Sequence, residues 1–354
     1  MKLAQDSLRE ITRLAKQLGR TIRFMEVCGT HTMAAFRTGL RSLLPEQIKL
    51  LSGPGCPVCV TPTDYVNRAV ALARQPDILV TTFGDMIKVP GTEASLEQAR
   101  AQGAAIRVVY SPLDALAEAQ ANPSRTVVFL GVGFETTAPT TAWALQRARQ
   151  EAPNFFVLCG HKTMPRAMAA ILEAGECAVE GFICPGHVSV ITGTQMYEFI
   201  ARDHQVPCVV TGFEGADLAE GILMLLRQRL EGRAVVEVQY TRSVEREGNP
   251  KARAALDEVF EPCDAEWRGF GTIPGSGLSL KGPYVAHDAG RLLRNVVLPA
   301  SREPIGCRCG EVLRGLIPPS DCPLFGKVCT PDNPIGACMV SSEGACAAYH
   351  RYGG

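Results

Sequence analysis

The sequence predicts an α/β protein: two duplicated, parallel-sheet (Rossmann-like) domains followed by a Cys-rich C-terminal domain. Three observations lead there. Short apolar runs alternate with helical stretches up to about Tyr240, as in parallel strands covered by helices. Two sets of those runs align on each other at nearly one offset. Seven of the fourteen cysteines fall from Cys263 onward.

The first set of runs is Ile22–Val27, Ile48–Leu51, Ile78–Thr82 and Ile106–Tyr110. The second is Phe155–Cys159, Val179–Cys184, Cys208–Thr211 and Val235–Tyr240. Cys28-Gly-Thr-His31 matches Cys159-Gly-His161-Lys162 at an offset of 131, and Pro54-Gly-Cys56 matches Pro185-Gly-His187 at the same offset. Thr81, Phe83 and Tyr110 match Thr211, Phe213 and Tyr240 at an offset of 130. A shared offset reads as internal duplication. Residues 1–125 are then the first copy, 126–242 the second, and 243–354 a third domain. Helix Asp6–Leu18 precedes the first copy as Thr137–Gln150 precedes the second. Thr126–Val132 is an extra strand at an edge or between the copies.

Lys+Arg and Asp+Glu are both 36, and hydrophobic residues make up 46%. Zero net charge without a basic run argues against nucleic acid as the main partner. The charged amphipathic N-terminus has no apolar signal core, and no stretch approaches a membrane span. The expected location is the cytosol. Fourteen cysteines there suggest metal or redox chemistry rather than a disulfide framework.

Reactive residues of open α/β sheets sit on loops at the carboxyl ends of strands. Cys28 and His31 follow the first apolar run. Cys56 and Cys59 follow the second, after the tight turn Ser52-Gly-Pro-Gly55, with Thr61 or Thr63 capping the next helix. All four are therefore expected on one rim. Sulfurs at C-x-x-C spacing close a small disulfide or bind one metal, and nearby helix N–H groups favour a thiolate. Structural zinc needs a second close Cys or His pair, and none lies just downstream, so redox or catalytic use is favoured. His161 and His187 hold the matching rim of the second copy. The expectation is a cleft with thiols on one wall and imidazoles on the other. Gly131–Thr137 lacks the third glycine of a dinucleotide fingerprint, which favours a plain strand–helix turn. Its Glu135, Thr136 and Thr137 suit ligand or partner contact.

Thr241–Lys281 changes character. A charged stretch, a helix (Ala252–Phe260) and a Gly/Pro-rich segment (Gly269–Gly282) read as the entry to the third domain. Cys307, Cys309, Cys322, Cys329, Cys338 and Cys346 follow, spaced by prolines and glycines that keep the backbone in turns. Four such thiolates hold a [4Fe–4S] cluster or one zinc. The wide spacing lacks tight zinc knuckles and favours iron–sulfur. Cys307 and Cys309 are then a redox pair beside the cluster, or one of them is a ligand. Cys159, Cys177, Cys184, Cys208 and Cys263, with His204, His287 and His350, read as packing residues.

With these residues in hand, the chain resembles the hydrogenase maturation factor HypD family over nearly its whole length. The motifs are Cys28-Gly-Thr-His31, Gly53-Pro-Gly-Cys-Pro-Val-Cys59, Thr82-Phe-Gly-Asp-Met86, Gly133-Phe-Glu-Thr-Thr137, Pro185-Gly-His-Val-Ser189 and Met339-Val-Ser-Ser-Glu-Gly-Ala-Cys346. The resemblance implies a cytosolic factor that helps build the Fe(CN)2CO unit of [NiFe]-hydrogenases with a HypC-type chaperone and a HypE-type cyanide donor. It further implies the nascent iron on Cys28, a redox pair at Cys56 and Cys59, and one [4Fe–4S] cluster on Cys322, Cys329, Cys338 and Cys346. Cys28 would work ionised, with His31 assisting. The rival is a cluster-linked thiol–disulfide reductase resembling ferredoxin-dependent thioredoxin reductases, which gives Cys28 no task.

Overall fold

The computed structural model describes residues 2–353. Its strands are β1 (Ile22–Glu26), β2 (Ile48–Ser52), β3 (Ile78–Thr82), β4 (Ile106–Val108), β5 (Thr126–Gly131), β6 (Phe155–Cys159), β7 (Phe182–Pro185), β8 (Cys208–Thr211), β9 (Val236–Val238), β10 (Phe260–Trp267) and β11 (Gly271–Leu280). Two parallel sheets carry the fold. The first has the order β2-β1-β7-β8-β9 and the second β4-β3-β5-β6. Helices connect successive strands, as parallel pairing requires. No helix among the described residues is long and apolar enough to cross a membrane.

Both sheets wind alike: the first two strands pair in reverse order and the later ones add on the other side. The duplication therefore exists as topology, but not as two consecutive copies. The whole second sheet is inserted between β2 and β7 of the first. Met25 pairs with Phe182 across that insertion. The divisions at 125 and 242 are corrected accordingly, and the offset of 131 does not relate equivalent positions. Cys28 follows the first strand of one sheet, whereas Cys159 ends the last strand of the other. Thr126–Val132 is no spare edge but the central strand β5, paired on both sides with β3 and β6. Strands buried on both faces share one apolar pattern, so local sequence does not say which of them pair.

Side chains alternate between layers. Ile22, Phe24, Ile48, Leu50, Ile183 and Val209 face the helices outside the first sheet. Leu79, Val127, Phe129, Phe155 and Val157 do the same for the second. Met25, Val27, Val80, Val128, Leu130, Cys184 and Val210 enter one common core. Cys309, Leu313, Cys329 and Met339 join that core from the C-terminal segment.

The boundary at 243 is also corrected. Helix Pro250–Val259, capped by Asn249 accepting from the Ala252 N–H, packs on helix Ala138–Glu151 of the second sheet. The Gly/Pro-rich segment read as part of the entry to a third domain is β11, antiparallel to β10 and bridged to the second sheet through Lys162 and Gly277.

Gly55 is where the turn after β2 meets the end of β1. A Cβ there would stand 2.2 Å from the Cys28 nitrogen and 2.4 Å from the Val27 carbonyl carbon. Those are backbone atoms without freedom to move aside. Gly55→Ala is expected to destabilise the protein by about 3 kcal/mol, the upper end for overpacking, or to prevent soluble expression; urea unfolding measures it.

Candidate functional site

In both sheets the winding reverses beside the first strand, leaving a crevice at the carboxyl ends where open α/β folds place ligands. In the first sheet Cys28 follows β1 and His187 follows the neighbouring β7. In the second, Phe83–Met86 follows β3 and Val132–Glu135 follows β5. The Ser341–Gly344 turn lies between them. Ser341 donates to Asp85 at 2.7 Å, and Thr30 donates to Glu343 at 2.7 Å. A cavity of about 290 Å³ results, lined by Pro57 and Val58, by Phe83, Asp85 and Thr137, and by Glu343.

Cys28 caps helix Gly29–Arg37 and is 4% exposed beneath the Ser341–Gly344 turn. Burial first, then the Glu343 charge, push its thiol up to about 12, against hydrogen bonds from Thr30 and the His31 backbone. The thiol is therefore protonated at neutral pH, contrary to the expected thiolate. The His31 imidazole does not assist. Its Nε2 lies 3.0 Å from both the Gly212 oxygen and Thr211 Oγ1. Burial, then the neighbouring His187, pull its pKa down to about 3.

His31 and His187 both stack on Phe213, with ring centroids 4.7 and 5.0 Å away. Both imidazoles thus belong to the thiols' own sheet, which corrects the two-walled picture. His161 alone stands on the second sheet, where Nε2 lies 3.0 Å from Thr141 Oγ1. Neither Phe213, met in the sequence only as a repeat landmark, nor Glu343 was expected as a site residue; Glu343 lies inside the terminal motif, which was its available signal.

The shared rim is as expected. β1 and β2 are parallel neighbours, and the Gly29 N–H donates to the Gly55 oxygen at 3.2 Å. Cys56 and Cys59 form a disulfide. Cys56 caps the short helix Pro57–Val60, its sulfur accepting from the Cys59 N–H at 3.3 Å; the next helix, Thr63–Ala73, follows Pro62 with no threonine cap. The cysteines are 3% and 0% exposed. Behind them Cys59 Sγ lies 4.0 Å from the Ala337 oxygen, next to Cys338.

Cys307, Cys309, Cys322, Cys329, Cys338 and Cys346 all line one pocket, backed by Leu324, Phe325 and Met339. No group of three Cys, His, Asp or Glu side chains among the described residues is disposed to hold a single metal ion. Hydrogen bonds from Cys307 and Cys338 favour the Cys309 thiolate, with the Arg268 charge assisting. An apolar pocket with six soft donors fits a [4Fe–4S] cluster. Cys309 and Cys307 line it as directly as the four cysteines singled out from the sequence.

Glu135 has a structural task rather than the expected ligand contact. It is 5% exposed, and Oε1 accepts from the Met164 N–H at 2.9 Å. Burial raises its carboxyl to about 7. Thr136 is half-buried, and Thr137 lines the cavity. Because the folded pKa lies above the unfolded value near 4.5, Glu135 contributes stability below that value and loses it as pH rises through 7. From pH 5 to pH 8, melting curves should move by about 2–4 °C in favour of Glu135→Gln over the parent protein.

The sequence pattern of the HypD family, described as the hydrogenase formation hypA family, matches residues 2–353. The chain is 49% identical to the hydrogenase maturation factor HypD of Rhodobacter capsulatus, over 99% of this chain and 96% of that protein. It is 48% identical to that of Rhizobium leguminosarum bv. viciae, over 99% and 93%. Identity to that of Escherichia coli (strain K12) is 46%, over 99% and 95%. A family match over residues 2–353, with relatives 46% to 49% identical over 99% of the chain, makes the chain a member of the HypD family.

Proposed function

We propose that the chain acts in [NiFe]-hydrogenase maturation, holding the half-built Fe(CN)2CO unit as its substrate on Cys28. A HypC-type chaperone shares the iron, a HypE-type partner delivers cyanide, and the Cys56–Cys59 pair exchanges two electrons. The supporting observation is a continuous series of contacts: Cys28 against Gly55, the disulfide next in sequence, and Cys59 against Ala337 at the edge of the six-sulfur pocket. The proposed place of action is the cytosol, where free thiols persist.

Low-spin iron with cyanide and carbon monoxide is soft and suits a thiolate. No imidazole takes the Cys28 proton, so the incoming iron displaces it to solvent or to the neighbouring Glu343 carboxylate. The Ser341–Gly344 turn covers the sulfur and must shift for loading. Cys56 and Cys59 take up two electrons and two protons on passing from disulfide to dithiol. A [4Fe–4S] cluster on pocket sulfurs, with Cys322, Cys329, Cys338 and Cys346 as the proposed ligands, would supply single electrons. The reductase reading is less well supported, because neither sulfur of the pair is open to a partner's disulfide.

Anaerobic vibrational spectroscopy of the chain with its small chaperone tests the proposal. Cyanide and carbonyl bands are expected in the parent protein and absent in Cys28→Ala. The double variant Cys56→Ala, Cys59→Ala should fail to complete the iron unit; a full set of bands there would refute the electron-exchange role. Glu343→Gln removes one of the two causes that raise the Cys28 thiol. Alkylation of Cys28 by iodoacetamide at pH 8 should then rise several-fold, read by peptide mass spectrometry.

A further inference from the structure

Beyond the thiol rim, a second cavity of about 260 Å³ opens where helix Thr63–Ala73, the end of β6 and the β10–β11 hairpin meet. Gly277 of β11 sits between Lys162 on one side and Cys263 on the other. With no side chain, it leaves a notch: a Cβ there would come 3.1 Å from Cys263 Sγ and 2.7 Å from Ala265 Cβ. Cys159 completes this wall, donating to the Leu278 oxygen at 3.0 Å.

Lys162 is the unusual member. The chain has eight lysines, and Lys162, at 5% exposure, is the one buried among those whose exposure is described. Its Nζ donates to the Glu266 backbone oxygen at 2.6 Å and lies 5.4 Å from the Trp267 ring centroid. It takes part in no ion pair among the described residues: Asp64 pairs with Arg68 at 2.7 Å, and Asp264 accepts from the Gly275 N–H. Burial lowers its pKa to about 8, partly offset by Glu266, Cys159 and Cys263. His161, 1% exposed and with Nδ1 unpartnered, lines the same cavity. Burial raises both thiols, Cys159 to about 12, so the amine is the stronger nucleophile near neutral pH.

We propose that this cavity is a reactive-amine site, in which Lys162 binds a small carbonyl compound covalently. The neutral amine adds to the carbonyl carbon, and a proton passes from nitrogen to oxygen. Loss of water from the carbinolamine leaves a C=N bond in place of C=O, with no change of oxidation state. The cavity's size of about 260 Å³ suits a ligand of about ten heavy atoms or fewer. The site stands apart from Cys28 and does not depend on the hydrogenase role.

The full-length protein is incubated with propionaldehyde and cyanoborohydride at pH 7, and labelling at each lysine is followed by peptide mass spectrometry. Lys162 is expected to react about tenfold faster than the exposed lysines. Its rate should saturate with aldehyde concentration and rise with pH to a midpoint near 8. Unfolding in urea should abolish the preference. Lys162→Arg should lose the fast label alone; if that variant misfolds, the parent kinetics decide. Labelling at Lys162 no faster than at exposed lysines, or without saturation, would overturn the proposal and leave Lys162 a strut for the Glu266 carbonyl.

Discussion

The site depends on a main-chain contact: the backbone at Gly55 lies directly against the backbone at Val27 and Cys28. Two adjacent parallel strands end together, and the turn leaving the second folds over the end of the first. Only a residue without a Cβ permits that approach. It brings the sulfur that follows β1 and the disulfide that follows β2 onto one rim. The same turn sets the short helix that carries Cys59 to the edge of the C-terminal sulfur pocket.

The surroundings of Cys28 are apolar and nearly sealed, and that decides its chemistry more than any neighbouring base does. A thiol held protonated by burial and by a nearby carboxylate is inert toward casual electrophiles. On the proposed reading, it binds iron only when the incoming metal displaces its proton. Phe213, with an imidazole stacked on it from His31 and from His187, supplies a flat, largely uncharged wall along the rim. The Ser341–Gly344 turn closes the other side through its hydrogen bonds to Thr30 and Asp85.

A buried ion pair fastens the C-terminal segment to this rim. Glu26, 1% exposed at the end of β1, accepts from Arg41 at 2.6 Å and from Thr32 at 2.7 Å. Arg41 also donates to the Leu50 oxygen and to the Tyr349 hydroxyl, and its guanidinium lies over the Phe36 and Tyr349 rings. Tyr349 sits on helix Ala345–Tyr352, which carries Cys346. Planar, delocalised and always charged, arginine can serve all these partners at once, where lysine would hold one or two. The strand ends and the sulfur-bearing helix are thereby kept in one frame.

Much of this was legible along the chain. Apolar alternation located the parallel strands, and Gly53-Pro-Gly-Cys-Pro-Val-Cys59 announced a tight turn bearing a sulfur pair. The crowding of cysteines after Cys307 marked a sulfur-lined pocket. Those signals are local: turn chemistry, strand periodicity and composition act over a few residues. Strand partnership is not local, and only the tertiary structure could show that β7 returns to pair with β1 across an entire inserted sheet. For the same reason His187 joined the thiols instead of facing them, and Glu135 turned inward to hold a helix end. Lys162 looked ordinary beside Cys159 until β11 laid a glycine next to it and buried its charge. A sequence carries the propensity of each segment; long-range pairing and burial, which set side-chain orientation and pKa, exist only once the segments have packed.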